Sequence, residues 1–224
     1  MSAGAKRQRT LILCDFDGTV SSVDMGNEIL NRFTDEGWEE IDRAYCAGEI
    51  GSRTAYLQVA PLFKGSRSQM IEFVDNRERI DPHFLEFYRF CRDNGVDVKI
   101  VSDGLDFYID AILKKNAIGD IQFFSNVTVF GKNGSLTIEF PRMNDKCEKC
   151  GTCKREVLRE HRSIYDRIIY VGNGHSDVCP AKDADIVFAK EVLYERCTED
   201  GTSCIRYDTF GDIMRYWQGQ LERG

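Results

Sequence analysis

Short apolar runs closed by polar turn residues recur along the chain. Thr10-Leu11-Ile12-Leu13-Cys14 runs into Asp15-Phe16-Asp17-Gly18-Thr19, Val96 to Val101 into Ser102-Asp103-Gly104, and Arg167 to Gly172 into Asn173-Gly174-His175-Ser176-Asp177. Runs of this length without alternation read as strands buried on both faces. Between them apolar residues return at helical spacing. Asp81-Pro82 opens one such stretch, with Asp as N-cap, Pro at the first helical position, Phe84, Leu85, Phe87, Tyr88 and Cys91 as the buried stripe, and Asn94-Gly95 as its stop. Further helices are predicted from Gly104 to Asn116, from Lys154 to about Arg162, from Lys190 to Arg196 and from Asp208 to Leu221, and further strands over Ala184–Ala189 and Cys204–Arg206. Alternating strands and helices predict an α/β fold with a doubly wound parallel sheet.

Two segments depart from that alternation. From Val20 to Asn76 no strand-like run occurs, while Glu28-Ile29-Leu30 with Phe33, Trp38 with Ile41 and Tyr45, and Tyr56-Leu57 with Ala60 and Phe63 recur at helical spacing. So long a connection predicts a small inserted helical cap over residues 21–77, with residues 1–20 and 78–224 forming the core domain. The second departure is a pair of alternating runs, Asn126–Phe130 and Ser135–Phe140, around Gly131-Lys132-Asn133-Gly134, which predicts a β-hairpin flap.

The 224 residues suit one α/β domain with a modest insertion. A formal charge of −7 and the lack of a basic stripe with interleaved aromatics argue against nucleic acid as a partner. The polar, basic lead Ser2–Arg9 reads as neither a signal peptide nor an anchor, and no run is long enough to span a bilayer. Nine cysteines without a secretion signal point to a reducing compartment, the cytoplasm by default.

Candidate chemistry sits at the strand ends, where open α/β sheets bind ligands. Strand alternation sends Asp15 and Asp17 to one face with Phe16 opposite, and two clustered carboxylates need a cation or a shared proton. Asp-x-Asp-Gly-Thr there resembles motif I of the haloacid dehalogenase superfamily, most of whose members are Mg²⁺-dependent phosphohydrolases. Ser102 matches motif II, Lys154 motif III, and Gly172 to Asp177 motif IV, in the superfamily's order. The resemblance implies a phosphatase for a small phosphorylated metabolite. Asp15 would be the nucleophile forming an aspartyl phosphate, and Asp17 the acid and then the base. Ser102, Asp103 and Gly104 would cradle the phosphate with Lys154 neutralising charge, and Asp15, Asp17, Asn173 and Asp177 would hold Mg²⁺. Alone, Ser102 reads as a helix cap and His175 as a polar loop residue.

More narrowly, Val101-Ser102-Asp103-Gly104, the cysteine cluster running into Lys154, and Asp185-Ile186-Val187-Phe188-Ala189-Lys190 resemble the phosphoserine-phosphatase-like branch and its MtnX-like group, whose named member dephosphorylates an enol phosphate of methionine salvage. Phosphoserine phosphatase is the alternative. Motif IV of this branch usually begins Gly-Asp, and Asn173 here removes one negative charge from the metal site, so a catalytically weakened binding protein is a further alternative. Asp24 stands where phosphoserine phosphatases carry a glutamate, or else caps the first cap helix. Leu57 falls near the place of their carboxylate-binding arginine, for which Arg53 could substitute. These positions predict that phosphoserine is a poor substrate and that a phosphorylated compound without an α-amino acid head is preferred. Cys147, Cys150 and Cys153 have the spacing of a structural Zn²⁺ knuckle whose fourth ligand would have to be Asp145, His161 or a distant cysteine; a reduced cysteine-rich turn or a disulfide are the other readings.

Overall fold

The computed structural model describes residues 8–132, 134–147 and 149–221. Residues 2–7 of the polar lead, Asn133 of the hairpin turn and Glu148 of the cysteine segment lie outside the described residues.

Seven strands form one sheet: β1 (Thr10–Cys14), β2 (Asp97–Leu105), β3 (Phe123–Phe130), β4 (Leu136–Glu139), β5 (Arg167–Gly172), β6 (Ile186–Ala189) and β7 (Ile205–Arg206), in the order β4-β3-β2-β1-β5-β6-β7. All neighbours are parallel except the β3–β4 pair. β1 lies between β2 and β5, so the chain leaves it toward one side and later returns on the other. The crevice beyond its C-terminal end is therefore the topological switch point of the sheet. Alternation along β1 buries Ile12 and Cys14 in one hydrophobic cluster and Leu11 and Leu13 in another, which is why the run lacks a polar face.

The helices are α1 (Met25–Phe33), α2 (Trp38–Cys46), α3 (Ser52–Val59), α4 (Arg67–Arg77), α5 (Phe84–Asp93), α6 (Asp106–Lys115), α7 (Lys154–His161), α8 (Val178–Ala181), α9 (Glu191–Asp200) and α10 (Phe210–Leu221). α5 and α10 pack on one sheet face through Phe84, Phe87 and Phe210, whose rings interlock at 4.8–6.3 Å. α7 covers the other face with Val157 and Leu158. α1 to α4 arise between β1 and α5, and the chain enters and leaves them side by side: Ser21 bridges Ile80, and Asp81 N donates to Val20 O.

Three local expectations differ. α5 begins at Phe84, because Asp81-Pro82-His83 forms a separate turn in which the Asp81 carboxylate accepts from His83 N at 2.9 Å. β2 continues through Ser102-Asp103-Gly104 to Leu105, with a register irregularity against β3 that lets these polar residues stay in the strand. The hairpin is an extension of the sheet: β3 starts at Phe123 beside β2, and its Val127–Phe130 half pairs with β4. Phe123-Phe124 carries no alternation, so the half of the strand buried in the sheet left no hairpin signal.

Candidate functional site

β1 stops at Cys14 and the chain turns at once. Asp15 and Asp17 keep extended backbone angles, and Gly18 adopts φ +71°. The two acids thus reach the cavity at the strand end through a turn, and continued strand alternation has no part in it. Gly18 is required twice over, since its left-handed φ disfavours any side chain and a Cβ there would stand 2.2 Å from Asn173 Nδ2.

Asp15 is 6% exposed, and its Oδ1 accepts from Lys154 Nζ at 2.6 Å and from Phe16 N at 2.7 Å. Lys154, the first residue of α7 and itself buried, also donates to Asp177 Oδ1 at 2.7 Å. Asp177 is fully buried, and Tyr170 OH completes the coordination of Oδ1 at 2.6 Å while Asn173 N and Gly174 N donate to Oδ2 at 2.9 Å each. Four donors thus take both oxygens of Asp177, the expected metal ligand, and it does not line the cavity. Its place is beneath Lys154, fixing the ammonium and the 172–174 turn. Burial works against the Lys154 charge, but the two carboxylates outweigh it and raise its pKa. Burial also acts on Asp177, yet Lys154 and Tyr170 hold its carboxyl below the usual range, whereas burial and the Asp177 charge push Asp15 up. One cation shared by two carboxylates leaves an excess negative charge.

Asp17 is held apart from this triad. Met25 N donates to its Oδ1 at 2.9 Å and Tyr108 OH to its Oδ2 at 2.5 Å. Burial and the nearby Asp24 charge push its carboxyl up to about 7, against those two hydrogen bonds. Gly104 permits the Tyr108 contact, because a Cβ there would meet Tyr108 OH at 1.9 Å.

Ser102 is buried, and its Oγ accepts from Gly104 N at 2.9 Å. It caps no helix, as α6 starts at Asp106. Gly104's amide is thus committed to Ser102 and is not offered to a ligand. Asp103 lines the cavity too, while its Oδ1 accepts from Thr152 N and Asn126 Nδ2 and so braces the loop before Lys154.

The cavity is about 280 Å³. Its floor holds Asp15, Asp17, Ser102 and Lys154, and its far side is apolar, built from Ile29, Leu30, Trp38, Ile41, Val59 and Phe63 with Tyr45 and Tyr56 beside them. Among its lining residues Lys154 is the sole lysine or arginine, against Asp15, Asp17, Asp24, Asp42 and Asp103. Asp24 lines the cavity and also caps α1, accepting from Asn27 N at 2.9 Å. Arg53 does not reach the cavity; its guanidinium donates to Met143 Sδ, and Leu57 faces solvent at 56% exposure. His175 lines the rim and is exposed. No sequence signal marks Tyr108, Tyr170, Trp38 or Asp42 as site residues, since their helical or strand spacing is that of ordinary core and surface residues.

Asp15, Asp17 and Asn173 present an all-oxygen donor set beside the excess negative charge, which fits a hard cation. Asp17 would contribute less through its carboxylate than expected, since both of its oxygens already accept protein hydrogen bonds. The zinc knuckle finds no support: among the described residues no group of three His, Cys, Asp or Glu is gathered for a metal, and all nine cysteines are free thiols. His161 is turned to Val157 O and Lys99. The cysteine segment instead ties α3 to the loop before α7, with Arg53 N donating to Lys149 O and Gly151 N to Ser52 Oγ, each at 3.1 Å.

Among the described residues no helix is long and apolar enough to cross a membrane. The fold is similar to that of a substrate-bound phosphoserine phosphatase, with TM-score 0.72, 22% identity, and coverage of 94% of this chain and 99% of that one. The sequence is 31% identical, over 92% of this chain and 95% of the relative, to the 2-hydroxy-3-keto-5-methylthiopentenyl-1-phosphate phosphatase of Exiguobacterium sibiricum. It is 28% identical, over 94% and 96%, to the protein of the same name from Brevibacillus brevis. The model of the family described as Putative Phosphatase matches residues 10–194, from the first residue of β1 into α9, and so takes in every element that lines the cavity floor. The chain belongs to that family, and it is a phosphatase of the MtnX-like group.

Proposed function

We propose that the chain hydrolyses a small phosphomonoester through an aspartyl-phosphate intermediate, and that its substrate carries an apolar tail and no α-amino acid head. The observation that carries this reading is the pairing of Lys154 with Asp15 on the floor of a cavity whose other acid, Asp17, is held near neutral pH. Oδ1 of Asp15 is occupied by Lys154 and Phe16 N, which leaves Oδ2 to attack phosphorus in line. Two of the three ammonium protons of Lys154 bind Asp15 and Asp177; the third is available to a phosphate oxygen. The Ser102 hydroxyl, accepting from Gly104, has its own proton to donate to another. Asp17 protonates the leaving oxygen, and as a carboxylate it then takes a proton from the water that cleaves the aspartyl phosphate to inorganic phosphate. Asp15, Asp17 and Asn173 would hold Mg²⁺, which when bound offsets the charge on the transferring phosphoryl group.

Residues 21–77 serve on this reading as the cap that selects the substrate. Its face of the cavity combines an apolar wall with the acids Asp24 and Asp42, and among the lining residues no lysine or arginine stands there for a substrate carboxylate, which disfavours phosphoserine. The curated relatives are named for a methylthio-pentenyl enol phosphate, a compound with a phosphate at one end and an apolar thioether at the other. We place the enzyme in the reducing cytoplasm on the ground that nine cysteines stay unpaired. The test is kcat/KM across phosphoesters in Mg²⁺ for the parent protein and Asp15→Asn. Enol or keto phosphates with apolar tails should rank above phosphoserine, and the variant should lose turnover on all. Phosphoserine ranking first would overturn the substrate reading, and an active D15N the nucleophile.

A further inference from the structure

Asn173 makes two side-chain hydrogen bonds. Its Oδ1 accepts from Thr19 Oγ1 at 3.0 Å, and its Nδ2 donates to Glu191 Oε2 at 2.9 Å. Glu191 is the first residue of α9, exposed, with φ +49°, the left-handed region that disfavours a side chain. The main chain brings it there: Lys190 N donates to Gly172 O and Leu193 N to Asn173 O, so the start of α9 is laid along the end of β5. We propose that Glu191 supplies the negative charge that Asn173 lacks and orients the Asn173 amide so that its oxygen serves the Mg²⁺ site. The proposal rests on the Mg²⁺ reading above.

A carboxylate only accepts hydrogen bonds, so beside Glu191 the amide must present its NH₂ there and its carbonyl on the other side. The carbonyl has two lone pairs, of which the Thr19 hydroxyl takes one, and the other remains for a hard cation. Turned over, the same amide would offer N–H groups to the cation. Gly18 leaves the room that the NH₂ occupies, since a Cβ there would stand 2.2 Å from Nδ2. An aspartate at 173 would face the Glu191 carboxylate at hydrogen-bond distance with no proton donor between them. Asn173 and Glu191 therefore form a unit, in which the carboxylate has moved one residue outward and acts on the cation through the amide. Glu191 is a positioning residue in this scheme, and the left-handed backbone at a glutamate is the cost of placing its charge there.

The test is isothermal titration of metal-free protein with Mg²⁺, without phosphoester, for the parent protein, E191Q, E191G, N173D and N173D/E191Q, each checked for folding by circular dichroism. Loss of a partner that orients a metal ligand weakens metal binding about 10–100-fold, and E191Q and E191G should both fall in that range. E191G should at the same time keep or raise the thermal midpoint of the metal-free protein, because glycine accepts that φ. N173D should tighten Mg²⁺ binding more in the E191Q background than alone. Unchanged affinity in E191Q, a midpoint of E191G that falls together with its affinity, or the same N173D effect in both backgrounds would overturn the proposal while the Mg²⁺ reading stands. A parent protein that binds no Mg²⁺ saturably would overturn both.

Discussion

Asp17 sets a pH dependence of stability whose sign is unusual for a carboxylate. Its carboxyl is pushed from the ordinary 3.8 up to about 7, so the folded protein keeps a proton that the unfolded chain has already released. The contribution is complete below the unfolded value and is lost as pH rises through about 7. A displacement of roughly 3 units is worth about 4 kcal/mol in full. Between about pH 5.5 and pH 7.5 the linkage relation gives a loss of about 2 kcal/mol from this group alone. For a domain of this size that corresponds to a fall of about 4–8 °C in Tm. Asp15, Asp24 and Asp103 are raised too and act in the same direction, whereas Asp177 is lowered and acts only at more acidic pH. The assay is urea denaturation of metal-free protein at the two pH values, with Asp17→Asn beside the parent. The parent should be more stable at the lower pH, and the variant should lose about 2 kcal/mol of that difference. An identical pH slope in D17N would refute the argument, because the slope would then belong to other groups.

Asp177→Asn leaves Lys154 with one carboxylate and turns an amide NH₂ toward two backbone donors; breaking a buried pair in this way costs about 3–5 kcal/mol, read as a lower urea midpoint. The exposed Arg196–Glu199 pair offers the contrast, with about 1 kcal/mol or less for Glu199→Gln. Trp38→Ala removes part of the apolar wall and should raise KM for a phosphoester with an apolar tail by about 5–100-fold, with much less effect on a compound that is little more than phosphate. Arg53→Ala should leave kcat/KM for every phosphoester unchanged, since its guanidinium lies outside the cavity, and a specific loss toward phosphoserine would show that it reaches the substrate.

Much of the architecture was legible because it depends on local pattern. β1 shows itself as five apolar or near-apolar residues followed by acids, while the grouping of Asp15 with Ser102 and Lys154 came from the order of the motifs in the family resemblance. What stayed hidden depends on partners distant in sequence. Asp177 reads as a free acid until Tyr170, Lys154 and two loop amides are seen around it. Arg53 sits one residue from the cavity-lining Ser52, and helix register alone turned it toward Met143. Glu191 opens a helix, where an acid is ordinary, and its left-handed backbone leaves no trace in residue type. Tyr108 lies on the buried side of α6 and differs from a packing tyrosine only through its contact with Asp17.

The ties between the Lys149–Gly151 segment and the start of α3 join the wall of the cavity to its floor. Two hydrogen bonds make the join, from Arg53 N and Gly151 N, and Thr152 next in line is held by Asp103 two residues before Lys154. Displacing α3 would break both, at about 0.5–1.5 kcal/mol each, and would pull on the short tether that presents the ammonium to Asp15. The stretch that holds the substrate-facing wall is thereby the same stretch that steadies the nucleophile's partner.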